Sequence, residues 1–130
     1  MTMDVFSKRI WMKEICKLWK EYDLVPKKKK DGSWEGLHWS GTSHATLCEP
    51  DVLKTMAKAG CAHLVYGYEH FDDRILKLMG KGSTRKTNIR SFFWTLEAGI
   101  RPIPNQIIGF PTEDFDSLRM QMQGWDDLGV

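Results

Sequence analysis

Two kinds of hydrophobic pattern alternate along this chain. In the first, apolar residues recur every three or four positions, which is typical of an amphipathic helix. In the second, β-branched and aromatic residues follow one another directly, which is typical of a buried strand. Four helices are predicted, with apolar faces formed by Trp11, Ile15, Leu18, Trp19 and Tyr22; by Val52, Leu53, Met56 and Ala57; by Ile89, Phe92, Phe93 and Leu96; and by Phe115, Leu118, Met122 and Trp125.

Local signals mark where these helices begin. Ser7 can cap the first helix, and Pro50 with Asp51 opens the second. Thr84 can cap the third, and Thr112 can cap the last. Each of these side chains, apart from the proline, offers an oxygen to the free backbone N–H groups of a first turn.

Strands and loops occupy the segments between the helices. Strands are predicted at residues 37–42 and 62–68, and a third is predicted to end in the apolar run 107–110. A short helix is expected at residues 72–79. Residues 27–32, which follow a proline and are mostly lysine, are expected to form a polar loop.

A helix, a glycine and a strand follow one another twice. Gly60 and Gly99 each end a predicted helix and lead into a predicted strand, and Glu69 and Glu113 occur in the loops that follow those strands. Strands that alternate with helices imply right-handed βαβ crossovers and a parallel sheet. The fold class is therefore predicted to be α/β. Ligands of such sheets bind at the carboxyl ends of the strands, where these two glutamates are expected.

Composition narrows the class of protein. The 130 residues suffice for one domain, and 42% hydrophobic with 28% charged residues is typical of a globular protein. A net charge of +2 gives no general attraction to nucleic acids or to membrane surfaces. No apolar stretch is long enough to cross a membrane, and the three widely spaced cysteines form no disulfide framework. We therefore expect a cytoplasmic protein.

The two candidate loops carry different chemistry. Glu69, close to Gly67 at a strand end, is placed either to accept hydrogen bonds from a ligand or simply to lie in solvent. Gly109 allows a ligand to approach the backbone, and Thr112 at a helix start favours a bound anion. The alternative for the second loop is an ordinary turn in which Glu113 complements the helix dipole.

Other chemical motifs are weaker. The spacing of His44, Cys48, Cys61 and His63 matches no usual zinc pattern, so no metal site is expected within this chain and the cysteines are expected to be small buried residues. The lysines of 27–30 are expected to be solvated. Phosphate-binding glycine loops, nucleophile elbows and zinc-protease motifs do not occur.

Several segments resemble one family, in the correct order along the chain. They are Met3-Asp4-Val5-Phe6, the helix ending Ala59-Gly60-Cys61, the strand ending Gly67-Tyr68-Glu69, the stretch Ile75-Leu76 to Lys81-Gly82-Ser83-Thr84, and Ile107-Ile108-Gly109-Phe110-Pro111-Thr112-Glu113. They resemble the radical S-adenosylmethionine (radical SAM) enzymes, and most of all those associated with a cobalamin-binding domain.

The resemblance implies a fold and a domain assignment. The family fold is a six-unit partial (β/α) barrel, and residues 1–130 would supply units two to five, without the first strand with its cluster loop and without the last strand. The family's CxxxCxxC motif is not found here. Three further departures are His70 in place of a usual serine, His44 in place of arginine, and Asn105 in place of glycine.

The resemblance also implies an activity. Family members use a [4Fe–4S] cluster to cleave S-adenosylmethionine and form a 5′-deoxyadenosyl radical, which removes hydrogen from a small-molecule substrate. Cobalamin is a further candidate cofactor of the parent protein. This chain would supply only part of the S-adenosylmethionine site, would be inactive alone, and would associate with the missing barrel segments or with itself through open sheet edges.

The implied binding residues lie at the strand ends. Glu69 would accept hydrogen bonds from the ribose hydroxyls or an amino group, and Gly67 would leave room for the ligand. The remaining implied contacts are Ile107, Gly109 and Phe110 around the adenine and His44 near the methionyl part. Two other functions stay open: a small α/β protein that binds a nucleotide or phosphate at 109–114, and a non-catalytic interaction module that uses the lysines of 27–30 and exposed tryptophans.

Overall fold

The computed structural model describes residues 9–129. The expected cap Ser7 and the expected strand end at residues 3–6 lie outside this range. The helices are α1 (Arg9–Glu21), α2 (Pro50–Lys58), α3 (Asp73–Leu78), α4 (Arg85–Glu97) and α5 (Phe115–Leu128), and a 3₁₀ turn spans Ala45–Leu47. The strands are β1 (Lys27–Lys28), β2 (Trp34–Glu35), β3 (Trp39–Ser43), β4 (Cys61–Glu69) and β5 (Arg101–Gln106).

The three longer strands form one parallel sheet in the order β3-β4-β5. Thr42 and Ile103 both pair with Val65 of the central strand, which sets the register. Helix α2 connects β3 with β4, and α3 and α4 connect β4 with β5. The predicted α/β fold with parallel strands separated by helices is confirmed.

Helices cover only one face of this sheet. Leu64, Tyr66 and Tyr68 of β4 are fully buried on the face that α2 and α4 cover. The alternate residues of β4, such as Val65 and Gly67, are only partly buried. Among the described residues, the second face of the sheet therefore has no helical layer, which is the arrangement of one part of a barrel wall.

Most predicted helix boundaries are confirmed. Pro50 occupies the first turn of α2, and Gly60 follows that helix with a φ of 89°, a conformation that glycine adopts without strain. Thr84 caps α4 and accepts a hydrogen bond from the Thr87 N–H. The predicted cap of the last helix was wrong: Asp114, not Thr112, caps α5, because its carboxylate accepts from the N–H of Ser117.

The predicted apolar face of α4 was largely wrong. Phe92 is buried, but so are the polar residues Asn88, Ser91 and Thr95, whereas Phe93 and Leu96 are exposed. The cause lies in β4, where the Tyr66 hydroxyl bonds to Thr95 Oγ1 at 2.7 Å and the Tyr68 hydroxyl bonds to Ser91 Oγ at 2.8 Å. Buried hydroxyls need partners, so α4 turns its polar residues inward.

The predicted faces of α1 and α5 were also wrong in part. Helix α1 buries Met12 and Cys16 and leaves Trp11 exposed, and Tyr22, just after the helix, is also exposed. Helix α5 buries Ser117, Gln121, Gly124 and Leu128 and leaves Phe115 and Met122 exposed. Gln121 turns inward because its Oε1 accepts the backbone N–H of Phe71, at 2.9 Å.

Two segments differ from the predicted strand and loop. The last strand is β5, residues Arg101–Gln106, and the apolar run 107–110 lies in the irregular segment after it, which leads into a turn at residues 110–113. Pro102 and Pro104 lie within β5, which is an outer strand of the sheet as described, where a missing N–H is tolerated. The expected polar loop begins with β1, which pairs with β2 just beyond the loop in a small hairpin.

Within residues 9–129, no helix has the length and apolar content that crossing a membrane requires.

Candidate functional site

The carboxyl ends of β4 and β5 meet at one edge of the sheet. Glu69 is the last residue of β4, and its carbonyl accepts the N–H of Ile107, which directly follows β5, at 2.8 Å. His44 follows the end of β3, the other neighbour of β4. The expectation that Glu69 and the segment with Gly109 follow neighbouring parallel strands is therefore confirmed.

Glu69 forms an ion pair at this edge. Its Oε1 lies 3.0 Å from Lys81 Nζ, and less than a quarter of each side chain is exposed. Gly67 lies beneath the pair, since a Cβ at this position would be 2.6 Å from Glu69 Oε1 and 3.2 Å from Lys81 Nζ. The glycine therefore leaves room for the pair, and the pair offers a carboxylate and an ammonium group side by side.

The backbone of Glu69 is unusual. Its φ is 62°, and the pairing of β4 with β5 shifts register between Gly67 and Glu69. A left-handed residue other than glycine is uncommon, and such conformations concentrate at functional sites. The irregularity turns the end of β4 and sets the direction of the Glu69 side chain.

Glu113 holds the turn after β5. Its Oε2 accepts the backbone N–H groups of Gly109 and Phe110, and its Oε1 accepts a hydrogen bond from His70 Nε2 at 3.0 Å. The side chain is only 7% exposed. Burial raises the pKa of this carboxyl, but the bonds from His70 and the two amides outweigh burial and hold the pKa below its ordinary value.

A second anchor acts on the same turn. Arg74, in the first turn of α3, donates to the Thr112 carbonyl at 3.1 Å and to Asp114 Oδ2 at 3.0 Å. The loop after β4 and the first turn of α3 thus fix the loop after β5 at several points. Thr112 itself has a φ of 74°, which is strained for a β-branched residue.

Replacing Thr112 with glycine is expected to raise the free energy of unfolding by about 1 kcal/mol, because glycine adopts a positive φ without the steric cost. Chemical denaturation measures the change. A Thr112→Ala variant is the matched control. Alanine also removes the hydroxyl and the methyl group of threonine but keeps the Cβ, so this variant should show no gain in stability. Equal stability of the glycine and alanine variants would contradict the strain.

Apolar surface borders the turn. Ile107 and Ile108 are 42% and 75% exposed, and Phe110 is partly buried. A groove of about 610 Å³ is lined by residues 108–110, by Glu113 and Asp114, and by Phe115 and Leu118 of α5. Its volume is in the range of small-molecule pockets.

His44 has a local bonding partner. It caps the 3₁₀ turn, and its Nδ1 lies 2.8 Å from Thr46 Oγ1 and accepts the Thr46 N–H. Its position after β3 is the predicted one, and its contact with a cofactor stays a prediction.

The chemistry of the 109–114 segment disfavours a phosphate ligand. The two amides that could bind an anion already bond to Glu113, and the Asp114 carboxylate caps the first turn of α5. Each of these carboxylates would repel a phosphate group.

The thiols do not fit an iron–sulfur cluster. Cys16 lies in α1, Cys48 just before α2 and Cys61 at the start of β4, and all three are buried, as predicted. Burial raises the pKa of Cys16 to about 11 and that of Cys61 to about 12, whereas a cluster is bound by thiolates. Among the described residues, no three histidine, cysteine or acidic side chains are arranged to hold a metal ion.

Two residues at this edge were not singled out as site residues from the sequence. Lys81 belongs to a stretch that carried the resemblance, but its pairing with Glu69 was not foreseen. His70 was noted only as a departure from the usual serine. Their partners are 12 and 43 positions away along the chain. The glycines on either side of Lys81 have positive φ values of 68° and 64° and indicate only that the chain turns there.

A parallel sheet with helices on one face and polar groups at its carboxyl edge is typical of an incomplete (β/α) barrel, and this is the fold class of the chain. The sequence matches the radical SAM superfamily over residues 11–121. The chain therefore belongs to the radical SAM superfamily, as the sequence motifs predicted. No curated protein matches it.

Solved structures show the same fold. The cobalamin-dependent S-adenosylmethionine radical enzyme OxsB, with aqua-cobalamin and S-adenosylmethionine bound, is similar with a TM-score of 0.75 and 17% identity, over 95% of this chain and 17% of that one. The radical S-adenosylmethionine methyltransferase TsrM from Kitasatospora setae, with cobalamin and a [4Fe–4S] cluster bound, gives 0.72 and 17%, over 94% and 21%.

A third similar structure is coproporphyrinogen III oxidase (HemN) from Escherichia coli, a radical SAM enzyme. Its TM-score is 0.68 at 16% identity, over 90% of this chain and 26% of that one. The chain thus spans between 17% and 26% of the length of these three structures.

Proposed function

We propose that this chain is part of the core domain of an enzyme that cleaves S-adenosylmethionine reductively to a 5′-deoxyadenosyl radical, and that it supplies part of the S-adenosylmethionine site. The observation that carries the proposal is the Glu69–Lys81 pair above Gly67, next to the turn that Glu113 holds. This pair and this turn lie at the carboxyl edge of a parallel sheet, where ligands of such folds bind.

The residues suit the parts of S-adenosylmethionine. The Glu69 carboxylate accepts hydrogen bonds from ribose hydroxyls or from the amino group, and Lys81 pairs with the carboxylate of the methionyl part. Gly67 has no side chain and so leaves room for the Glu69–Lys81 pair. Ile107 and Phe110 provide apolar surface that shields the adenine from water.

Residues 1–130 correspond to units two to five of a six-unit barrel, and the cluster ligands come from a part of the parent protein outside this chain. Alone, the chain would be inactive and would associate through β3 and β5, each of which pairs with one strand among the described residues. A cytoplasmic location agrees with the three free thiols. Cobalamin is proposed for the parent protein.

Isothermal titration calorimetry of the chain with S-adenosylmethionine tests the binding site. The chain is expected to bind, and Glu69→Ala is expected to weaken binding by about tenfold or more, because it removes charge-assisted hydrogen bonds. Glu97→Ala, at an exposed position at the end of α4, is the matched control and should bind like the wild type.

Two results of this titration would contradict the proposal. The proposal fails if the wild-type chain does not bind S-adenosylmethionine, or if Glu69→Ala binds as tightly as the wild type. Binding of ATP without binding of S-adenosylmethionine would favour the nucleotide-binding alternative instead.

A further inference from the structure

A buried histidine links the two loops of the site. The His70 side chain is fully buried and directly follows β4. Its Nδ1 accepts the backbone N–H of Asp72 at 2.8 Å, and its Nε2 lies 3.0 Å from Glu113 Oε1. A backbone N–H can only donate, so Nδ1 is the acceptor and Nε2 carries the proton that is donated to Glu113.

The backbone of His70 is held as firmly as its ring. Its N–H donates to the Tyr68 carbonyl at 2.7 Å, and its carbonyl accepts from Asn88 Nδ2 at 3.2 Å. Asn88 is fully buried in α4. The backbone of His70 is therefore held by β4 and α4, and its ring is held by the Asp72 N–H, which leaves Nε2–H directed at Glu113.

Glu113 connects the His70 imidazole to the turn after β5. One carboxylate oxygen accepts from His70, and the other accepts the N–H groups of Gly109 and Phe110. The other charged groups around the contact are Arg74 with Asp72 at the start of α3, and Asp114 at the start of α5. Arg74 lies within ion-pair distance of both aspartates.

We propose that His70 is a positioning residue, which orients Glu113 and through it the Gly109–Phe110 backbone that borders the ligand. This role rests on the proposed function, because the turn is taken to flank the nucleoside of S-adenosylmethionine. His70 does not touch the ligand. It sets the shape of the turn before the ligand binds, so that the cost of ordering the turn is not part of the binding free energy.

Three variants of His70 distinguish the hydrogen bond of Nδ1 from that of Nε2. His70→Gln keeps a donor near the position of Nε2 and loses the acceptor at Nδ1. His70→Asn keeps an acceptor near Nδ1 and loses the donor to Glu113. His70→Phe fills the space and loses both. Circular dichroism and thermal unfolding establish that each variant is folded before the other measurements are made.

The main readout is the proton chemical shift of the Gly109 and Phe110 amides, followed by NMR from about pH 7 to about pH 3. In the wild type these shifts are expected to follow the ionisation of Glu113, with a midpoint below the ordinary value of 4.5. His70→Asn and His70→Phe should raise the midpoint, because the carboxylate loses a donor. His70→Gln should leave it near the wild-type value.

The second readout is affinity for S-adenosylmethionine. His70→Asn and His70→Phe are expected to bind about tenfold more weakly, and His70→Gln about as tightly as the wild type. Rescue by glutamine alone is the result that a merely structural histidine would not give. The proposal is overturned if all three variants keep the wild-type midpoint, or if His70→Gln behaves like His70→Phe in both measurements.

The two readouts also separate this inference from the proposed function. If the wild-type chain does not bind S-adenosylmethionine, the proposed function fails while the NMR titration still decides whether His70 positions the turn. If the chain binds and the His70 variants bind equally well, the role of His70 in binding fails and the proposed function stands.

Discussion

Replacing Gly124 with alanine is expected to lower the free energy of unfolding by about 3 kcal/mol, although alanine is the better helix former by about 1 kcal/mol. A Cβ at this position in α5 would lie 2.1 Å from two ring atoms of Phe71. Phe71 is 1% exposed, and its ring packs edge-on against Trp125 and near Tyr68. The ring is buried among these aromatic side chains, so the ring or the helix would have to shift.

Urea denaturation of the Gly124→Ala variant measures this loss. Met122→Ala is the control, because Met122 lies in the same helix and is 64% exposed. Its stability should change by no more than about 0.5 kcal/mol. A Gly124→Ala variant as stable as the wild type, or more stable, would show that α5 does not approach Phe71 this closely.

Replacing Asn88 with alanine is expected to cost about 3 kcal/mol as well, because it leaves two buried carbonyls with fewer partners. The Asn88 amide donates to the carbonyls of Tyr68 and His70, both at 3.2 Å. These carbonyls lie on either side of Glu69. The change is therefore expected to loosen the end of β4 together with the Glu69–Lys81 pair.

The Asn88 prediction has two measurements. Denaturation gives the loss of stability, and Asn105→Ala, at an exposed position in β5, is the control with an expected change below about 0.5 kcal/mol. Amide hydrogen exchange at residues 69 and 70 reports the local effect and should become faster in Asn88→Ala. A small loss of stability with unchanged exchange at these residues would mean that Asn88 does not hold the strand end.

Local signals explain which parts of the fold could be read from the sequence. The start of α2 at Pro50, the turn at Gly60 and the cap at Thr84 depend on a few neighbouring residues, so the sequence pattern was sufficient. The order of helices and strands then implied a parallel sheet. The placement of Glu69 and the turn with Gly109 at one edge followed from that topology alone.

The inward faces of the helices could not be read in this way. Helix α4 buries Ser91 and Thr95 because Tyr68 and Tyr66 present hydroxyls to them, and these tyrosines come from a strand more than 20 positions earlier. A hydrophobic periodicity records which residues are apolar and not which buried polar groups need partners. The prediction for α5 was wrong in part for the same reason, because Gln121 turns inward to accept the Phe71 N–H.

The residues of the candidate site also differ in whether the sequence could predict them. Glu69 and Gly67 could be found because both lie at a strand end that the sequence marks. The Lys81 side chain comes from outside β4, and the His70 side chain reaches the loop after β5. The geometry of both contacts depends on the irregular end of β4. The clearest trace in the sequence was the unusual His70 within the family motif.

The central claim is that the carboxyl edge of the sheet binds the nucleoside part of S-adenosylmethionine. An NMR titration of the chain with S-adenosylmethionine, read at every backbone amide, tests it most directly. We expect the largest shift changes at residues 67–70, 81 and 107–113, and none in the hairpin of β1 and β2. Changes confined to that hairpin or to the amino ends of the strands, or no changes at saturating ligand, would contradict the claim.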